Sequence, residues 1–256
     1  MLKKMCIAVL LCGAVAAPVL AQKTRWSMGF SVANAHVPHP FENPPEPGSS
    51  SGVTGAYGGI LEKDYHVRRY SAEGFVQYSP RQTAHLRLRA GYSIRETEFA
   101  SVYGTPEQVP VNRNKSRETA RDWHFAPAFI ATHALGRFFL HAGAEMPVYF
   151  LKPLESHYTW TDLTPAAGNT SESWRRYPGG TSLGIGPVAG FSFRLDRWLF
   201  AGIEARGAWM YTRLQGNFEE RSNWSGPMVT QKGTAETYRS GGLSDVQLAL
   251  QLRFVL

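Results

Sequence analysis

The chain has 256 residues, 43% of them hydrophobic, with a formal net charge of +7, 25 glycines, 16 prolines and 2 cysteines. Beyond residue 21 no apolar run reaches the length of about 18 residues that a membrane-spanning helix needs, which excludes such a helix from the mature chain. The positive charge is spread along the chain without forming a basic cluster, which argues against a nucleic-acid partner.

The N-terminus has the features of a secretory signal peptide. Two lysines precede an apolar segment over residues 7–20, which is too short to span a bilayer and ends close to a small residue. We expect cleavage before Gln22, so that residues 1–21 are removed and residues 22–256 form one mature domain. Both cysteines leave with the signal, and we therefore expect no disulfide or thiol chemistry in the mature chain.

Alternation of apolar and polar residues predicts eight β-strands, because side chains two residues apart share one face of a strand. The predicted strands cover residues 25–32, 69–78, 85–95, 122–131, 138–150, 182–195, 199–212 and 243–256. One face of each strand is apolar. The other face is rich in glycine, alanine and serine, with arginine and glutamate interspersed.

The connections between these strands alternate in length. Long polar loops are predicted at residues 33–64, 97–121, 151–180 and 213–241, and tight turns at 79–82, 135–137 and 196–197. An up-and-down transmembrane barrel produces this pattern, with short periplasmic turns on the side of the termini and long extracellular loops on the other. Alternating stretches at 57–61, 157–161 and 229–231 indicate that strands continue into the loops as hairpins; disordered loops are the alternative.

The last strand raises the question of which medium the apolar face meets. That face consists of Val246, Leu248, Leu250, Leu252, Phe254 and Leu256. A soluble sheet would turn it into a core, and a membrane barrel would turn it into lipid. The second orientation is favoured, because seven other segments share the alternation and small polar-face residues suit the narrow lumen of an eight-stranded barrel. We expect this strand to pair with the first.

Aromatic residues gather near the predicted strand ends, as an interfacial girdle in a membrane requires. Trp26 and Phe254 lie on the side of the termini, and Trp123, Trp209 and Tyr211 lie on the side of the long loops.

The polar face carries charges that the lumen would bury. Buried charges must be paired and hydrogen-bonded, because an unpaired one destabilises the fold strongly. We predict an ionic network that plugs the lumen, formed by Arg69, Glu73, Arg87, Arg89, Asp122, Glu145, Glu204, Arg206 and Arg253. Arginines outnumber acids on this face, so an anion-leaning pore is the alternative.

The signal sequence, the eight alternating segments and the terminus from Leu248 to Leu256 resemble small bacterial outer-membrane barrels of the outer membrane protein A and X type. The resemblance covers essentially the whole mature chain and is one of architecture. It implies a monomer in a Gram-negative-type outer membrane, assembled by the barrel-assembly machinery and surrounded by outer-membrane lipid. Members usually end in an aromatic residue, whereas here Phe254 stands two places before the final Leu256.

Three prolines interrupt consecutive predicted strands at similar heights: Pro127, Pro147 and Pro187. A proline cannot donate to the strand ladder, so we expect bulges that bend the wall. The alternative, by resemblance to barrels of the lipid A palmitoyltransferase kind, is a lateral opening that admits lipid.

We expect no enzymatic activity, cofactor or metal. Asp122 and His124 share a face near the loop side, and Ser93 or Ser182 could join them. An Asp-x-His pair is common by chance, however, and no His-x-Ser pair of the lipid A deacylase kind occurs. His36 and His39 in the first loop are too weak a pattern for a metal site.

The sequence therefore predicts a plugged outer-membrane barrel that acts in envelope integrity or adhesion, binding an extracellular ligand through four long loops. The first alternative is a narrow channel for small anionic or hydrophobic solutes. The second is a lipid-modifying enzyme with lateral lipid access.

Overall fold

The computed structural model of the chain describes residues 26–34, 59–81, 83–105, 109–163, 169–223, 227–244 and 246–256. The predicted signal peptide, its cleavage site and most of the first predicted loop lie outside these ranges. No helix in the described part of the chain is long and apolar enough to cross a membrane.

The described chain is built from β-strands in one antiparallel sheet. The strands are β1 (Trp26–Ala33), β2 (Gly59–Arg81), β3 (Ala84–Gly104), β4 (Pro110–Leu135), β5 (Phe138–Glu145), β6 (Val148–Leu151), β7 (Leu154–Asp162), β8 (Thr170–Tyr177), β9 (Gly180–Arg194), β10 (Leu199–Arg206), β11 (Trp209–Ser222), β12 (Val229–Leu243) and β13 (Gln247–Val255).

The described strands number 13, more than the eight predicted. Two predicted strands are interrupted: the fifth divides into β5 and β6 at residues 146–147, and the seventh divides into β10 and β11 at residues 207–208. Three further strands, β7, β8 and β12, come from segments that were predicted as loops.

The prediction of long loops was wrong for three of the four segments. β3 and β4 pair continuously from Ala84↔Ala131 to Tyr103↔Asn112, so residues 97–121 are mostly strand. The other two segments form the β7–β8 and β11–β12 hairpins. Polar residues occupy both faces of these extensions, so the sequence shows little apolar periodicity there, although the backbone pairing continues. The predicted hairpin stretches at 157–161 and 229–231 lie in β7 and β12 and are confirmed.

The pairing order follows the chain. β1 pairs with β2, β2 with β3 and β3 with β4, while β5 and β6 together join β4 to β9. β9 pairs with β10, and β10 pairs with β13. The expected pairing of the last strand with the first is present, with Phe30 opposite Leu252 and Val32 opposite Leu250.

The two faces of this sheet have opposite polarity and opposite exposure. Apolar side chains such as Leu88, Phe129, Leu140, Ile185 and Leu250 expose between 48% and 65% of their surface. The face that carries the charged residues is buried instead. Its side chains meet across the sheet, as between β3 and β10, so the sheet curls with the charged face inside.

The three prolines lie where the strand ladder is irregular. β5 ends and β6 begins on either side of Pro147, and residues 207–208 lie opposite Pro187. Each proline nevertheless accepts a backbone hydrogen bond from the next strand. Met146 donates to Pro127 at 2.9 Å, Gly184 to Pro147 at 2.9 Å and Gly207 to Pro187 at 3.3 Å. These bonds favour bulges over a lateral opening.

Hydrogen–deuterium exchange tests the continuity of this wall. The amides of Met146 and Gly184 should be protected as strongly as those of Ala142 and Ala189 in the regular ladder, because both donate across the proline positions. Exchange at these two amides far ahead of the ladder amides would instead support the lateral opening.

Candidate functional site

The buried face of the sheet contains a chain of alternating charges. Three arginines and three glutamates follow one another in the order Arg87, Glu204, Arg206, Glu73, Arg89 and Glu145. Arg87 donates to both carboxylate oxygens of Glu204, at 2.6 and 3.0 Å. Arg206 donates through Nε to Glu204 and through Nη1 to Glu73, each at 2.8 Å. We call these six residues the ionic network.

Glu73 is the most connected residue of the network. Its carboxylate accepts from Arg89 at 2.9 Å and from the Ser31 hydroxyl at 2.6 Å, in addition to Arg206. His124 Nε2 lies 3.0 Å from the same carboxylate. Four groups from four strands therefore converge on one buried carboxylate.

Strand periodicity explains how so few elements supply the network. Arg87 and Arg89 stand two residues apart on β3, as do Glu204 and Arg206 on β10, so each pair projects from one face. Gly91 on β3 leaves room for side chains from the two neighbouring strands. A Cβ at Gly91 would lie 2.7 Å from the His124 ring and 2.8 Å from Glu73 Cγ.

Seven of the nine residues assigned to the lumen from the sequence lie buried on this face: the six of the network and Asp122. Arg253 is half-buried near the termini, with its guanidinium carbon 4.5 Å from the centre of the Phe200 ring. Arg69 differs, because its side chain is exposed. It stands two residues beyond Ser71, where β2 loses β1 as a neighbour, so the curled sheet no longer encloses that position.

Sequence reasoning left three contributors out of the network. Ser31 and His124 contact Glu73, and His141 Nε2 lies 3.3 Å from Glu204. All three stand in the same alternation phase as the charged residues of their strands. Their position in the alternation could have indicated that they lie on the charged face. A histidine or serine carries no fixed charge, however, so the sequence gives no reason to expect an ionic partner for it.

The groups considered for catalysis do not form a nucleophile–base pair. Ser93 donates to Asp122, and the Asp122 carboxylate lies 3.6 Å from His124 Nδ1. His124 Nε2 faces Glu73, so the serine and the imidazole are not joined. The Ser182 hydroxyl is hydrogen-bonded to Thr212 at 2.7 Å. A relay needs the hydroxyl on the imidazole nitrogen, and this arrangement lacks it.

The apolar face of the last strand, β13, and its flanking residues is open. Val246, Leu248 and Leu250 are exposed, and Leu252, Phe254 and Leu256 are partly covered by neighbouring side chains. Phe254, for example, stacks on Trp198 with ring centroids 5.9 Å apart.

The hairpins extend the sheet with polar side chains. β7 pairs with β4, β8 with β7 and β11 with β8, which makes one continuous surface. Arg175 donates to Glu220 at 3.0 Å across β8 and β11. Arg221 donates to Glu219, and this hydrogen bond holds the pKa of the Glu219 carboxyl below its usual range. Among the described residues, no group of three or more His, Cys, Asp or Glu is arranged to hold a metal ion.

No family model matches the chain, and no curated protein matches its sequence. Among solved structures, the chain is similar to the outer membrane protein OprG from Pseudomonas aeruginosa. The TM-score is 0.36 and the identity 9%, over 92% of this chain and 97% of that one. It is also similar to the outer membrane protein W of E. coli, with a TM-score of 0.27 and 12% identity over 93% of this chain and 100% of that one. Both of these proteins are described as outer membrane proteins.

Replacing Glu73 by glutamine tests the network. Loss of this charge leaves two buried guanidinium groups without their shared partner, which should destabilise the fold by about 3–5 kcal/mol in chemical unfolding. The double variant Glu73→Gln/Arg206→Gln should lose less than the sum of the single variants, because the two residues interact directly. Glu219→Gln on the β11–β12 hairpin is the matched control and should leave the unfolding midpoint in place. Equal midpoints for Glu73→Gln and Glu219→Gln would contradict the network's role.

Proposed function

We propose that the chain is an outer-membrane β-barrel whose lumen is sealed by the ionic network and whose hairpins present a binding surface outside the membrane. Its role is structural or adhesive, in envelope integrity or attachment, and it acts as a monomer. The proposal includes export through a cleaved signal peptide, insertion by the barrel-assembly machinery and an extracellular partner recognised by the hairpins.

The inverted polarity of the sheet carries this proposal. A soluble protein buries its apolar face and rarely exposes a large contiguous apolar patch. Here the residues that alternate outward are leucine, isoleucine, valine and aromatics, while arginine and glutamate are buried. A lipid surrounding accounts for both faces of the sheet. The bilayer interior solvates the apolar outer face, and the ionic network pairs the charges of the inner face.

The pairing order supports a wall of eight segments. Counted in order they are β1, β2, β3, β4, β5 with β6, β9, β10 with β11, and β13, which returns to β1. We infer a closed barrel from this order. Closure leaves no sheet edge in the hydrocarbon region, where an unpaired backbone group would be costly. A barrel of this size has a lumen that side chains can fill.

The ionic network supports the sealed lumen. Its contacts run from β10 to β2 and β3 and on to β5, and its charged side chains expose at most 5% of their surface. Three arginines balance three glutamates, so the network itself leaves no surplus charge to attract a passing anion.

The hairpins support a binding role. Because β4, β7, β8, β11 and β12 are hydrogen-bonded in sequence, the hairpins form one ordered surface. Polar and aromatic side chains cover this surface, including Trp174 with Arg221 over its ring at 5.2 Å. We propose no catalytic step, because the Ser93, Asp122 and His124 side chains do not form a relay.

Substitution of an outward leucine distinguishes lipid from water as the surrounding medium. Leu250→Arg should weaken folding into lipid vesicles by about 2–4 kcal/mol, because arginine is costly on the lipid face near the middle of the bilayer. Val229→Arg, at an exposed residue of the β12 hairpin, is the control and should fold normally. In a soluble protein both substitutions would be harmless. Equal folding of the two variants would therefore count against the membrane barrel.

Planar-bilayer conductance separates the sealed lumen from the channel alternative. The wild-type protein should give no discrete openings, because the network fills the lumen, and Glu73→Gln/Arg206→Gln should give openings or electrical noise. Regular anion-selective openings from the wild-type protein would refute the seal and favour a transport channel. Altered lipid A in cells that express the protein would favour the lipid-modifying alternative.

A further inference from the structure

Basic residues follow the exposed apolar residues on three strands, at the end of each apolar stretch that faces outward. On β4 the run Phe129, Phe125, Trp123 is followed by Arg121, and on β6 the residue Phe150 is followed two positions later by Lys152. β11 shows the same step. There, Trp209 and Tyr211 are exposed by 59% and 50%, and the next outward residue is Arg213. All three steps occur on the side of the hairpins.

Arg213 and Arg239 are the centre of this arrangement. The two residues are directly opposite each other on β11 and β12 and share the outward face with Tyr211. Like charges in this position repel each other and destabilise a strand pair. Within the described residues, neither has an acidic partner. The only side-chain bond of Arg213 there runs to Gln215 at 3.4 Å.

Neighbouring strands extend the positive surface. Arg213 lies opposite Thr181 on β9, and Thr181 lies opposite Phe150 on β6. Lys152 follows Phe150 by two residues on the same face of the sheet. The Lys152 backbone donates to Arg121 at 2.9 Å, which fixes the spacing of these two residues, and Lys152 Nζ lies 5.9 Å from the Tyr92 ring. We call Arg121, Lys152, Arg213 and Arg239 the basic belt.

We propose that the basic belt binds the phosphate groups of a phosphorylated lipid in the leaflet on the hairpin side, with Arg213 and Arg239 holding one phosphate between them. This inference rests on the proposed membrane barrel. A phosphate between the two guanidinium groups removes their repulsion and accepts several hydrogen bonds from them, since the guanidinium fork matches phosphate geometry. The aromatic residues below mark the interface, where lipid phosphates lie next to the hydrocarbon region.

Two arginines nearer the hairpin tips differ from the belt because they have acidic partners. Arg117 lies 3.6 Å from Glu96 and Arg221 lies 2.7 Å from Glu219, so these cations are neutralised within the chain. Arg113 and Lys115 are exposed on the same outward face of β4 as Arg121, but they lie farther towards the tip. They provide a control pair with the same formal charge.

The test measures lipid binding to the folded protein in nonionic detergent by native mass spectrometry. The probes are bisphosphorylated lipid A, the same glycolipid without its phosphates, and inorganic phosphate. Arg213→Gln/Arg239→Gln should weaken binding of the phosphorylated lipid about 10- to 30-fold, as expected for two basic residues at an anionic surface. Arg113→Gln/Lys115→Gln should change it little, and removal of the phosphates should abolish the difference between the variants.

Three outcomes would overturn the proposal. Equal binding by both double variants, or equal binding of the dephosphorylated glycolipid, would show that the belt does not recognise lipid phosphate. Binding of inorganic phosphate with the same dependence on Arg213 and Arg239 would identify an anion site without a role for lipid.

The membrane barrel is checked separately by the shift in gel mobility on heating. A protein with this shift and no phosphate preference refutes the basic belt alone, whereas loss of the shift in the wild-type protein refutes the barrel as well.

Discussion

The convergence of four groups on the Glu73 carboxylate is the interaction on which the rest of the structure depends. Glu73 lies on β2 and accepts from Arg89 on the adjacent strand β3. It also accepts from Arg206 on β10, which is not a neighbour of β2 or β3 in the pairing order. These contacts require the sheet to curl, because a flat sheet would hold β10 and β2 too far apart. Curling encloses the charged face, and enclosure in turn makes the pairing obligatory, since a buried charge without a partner is strongly destabilising. Geometry and charge balance thus depend on each other.

Enclosing the charges places the apolar residues outside, and this exposure supports the proposed membrane surrounding. Exposed Leu88, Ile185 and Leu250 would promote aggregation in water but suit a bilayer. The same outward face ends in aromatics and then in cations towards the hairpins. The wall therefore changes from apolar to aromatic to basic within a few residues along a strand, in the order in which hydrocarbon, interface and lipid phosphate follow one another in a leaflet.

Much of the fold follows from alternation alone. In an isolated strand, Arg87 and Arg89 already share one face, and Leu86 and Leu88 share the other. The chain order of the segments and the pairing of the last strand with the first could be predicted, because antiparallel neighbours joined by tight turns leave few other topologies. The extent of β3 and β4 could not, since residues 97–121 carry polar side chains on both faces. Backbone hydrogen bonds between strands sustain them, and these bonds have no signature in side-chain hydropathy.

The sequence by itself determined which residues lie on each face, and therefore which charges have to be satisfied inside. Only the tertiary structure decided which acid meets which base. Glu73 and Arg206 stand far apart in the chain, and their contact depends on the register and curvature of several strands at once. It also decided that Arg69 stays exposed, because β1 ends two residues below it, and that Arg213 and Arg239 face each other. Alternation is a local property of a strand, whereas partners across a curled sheet are fixed only when every strand is in place.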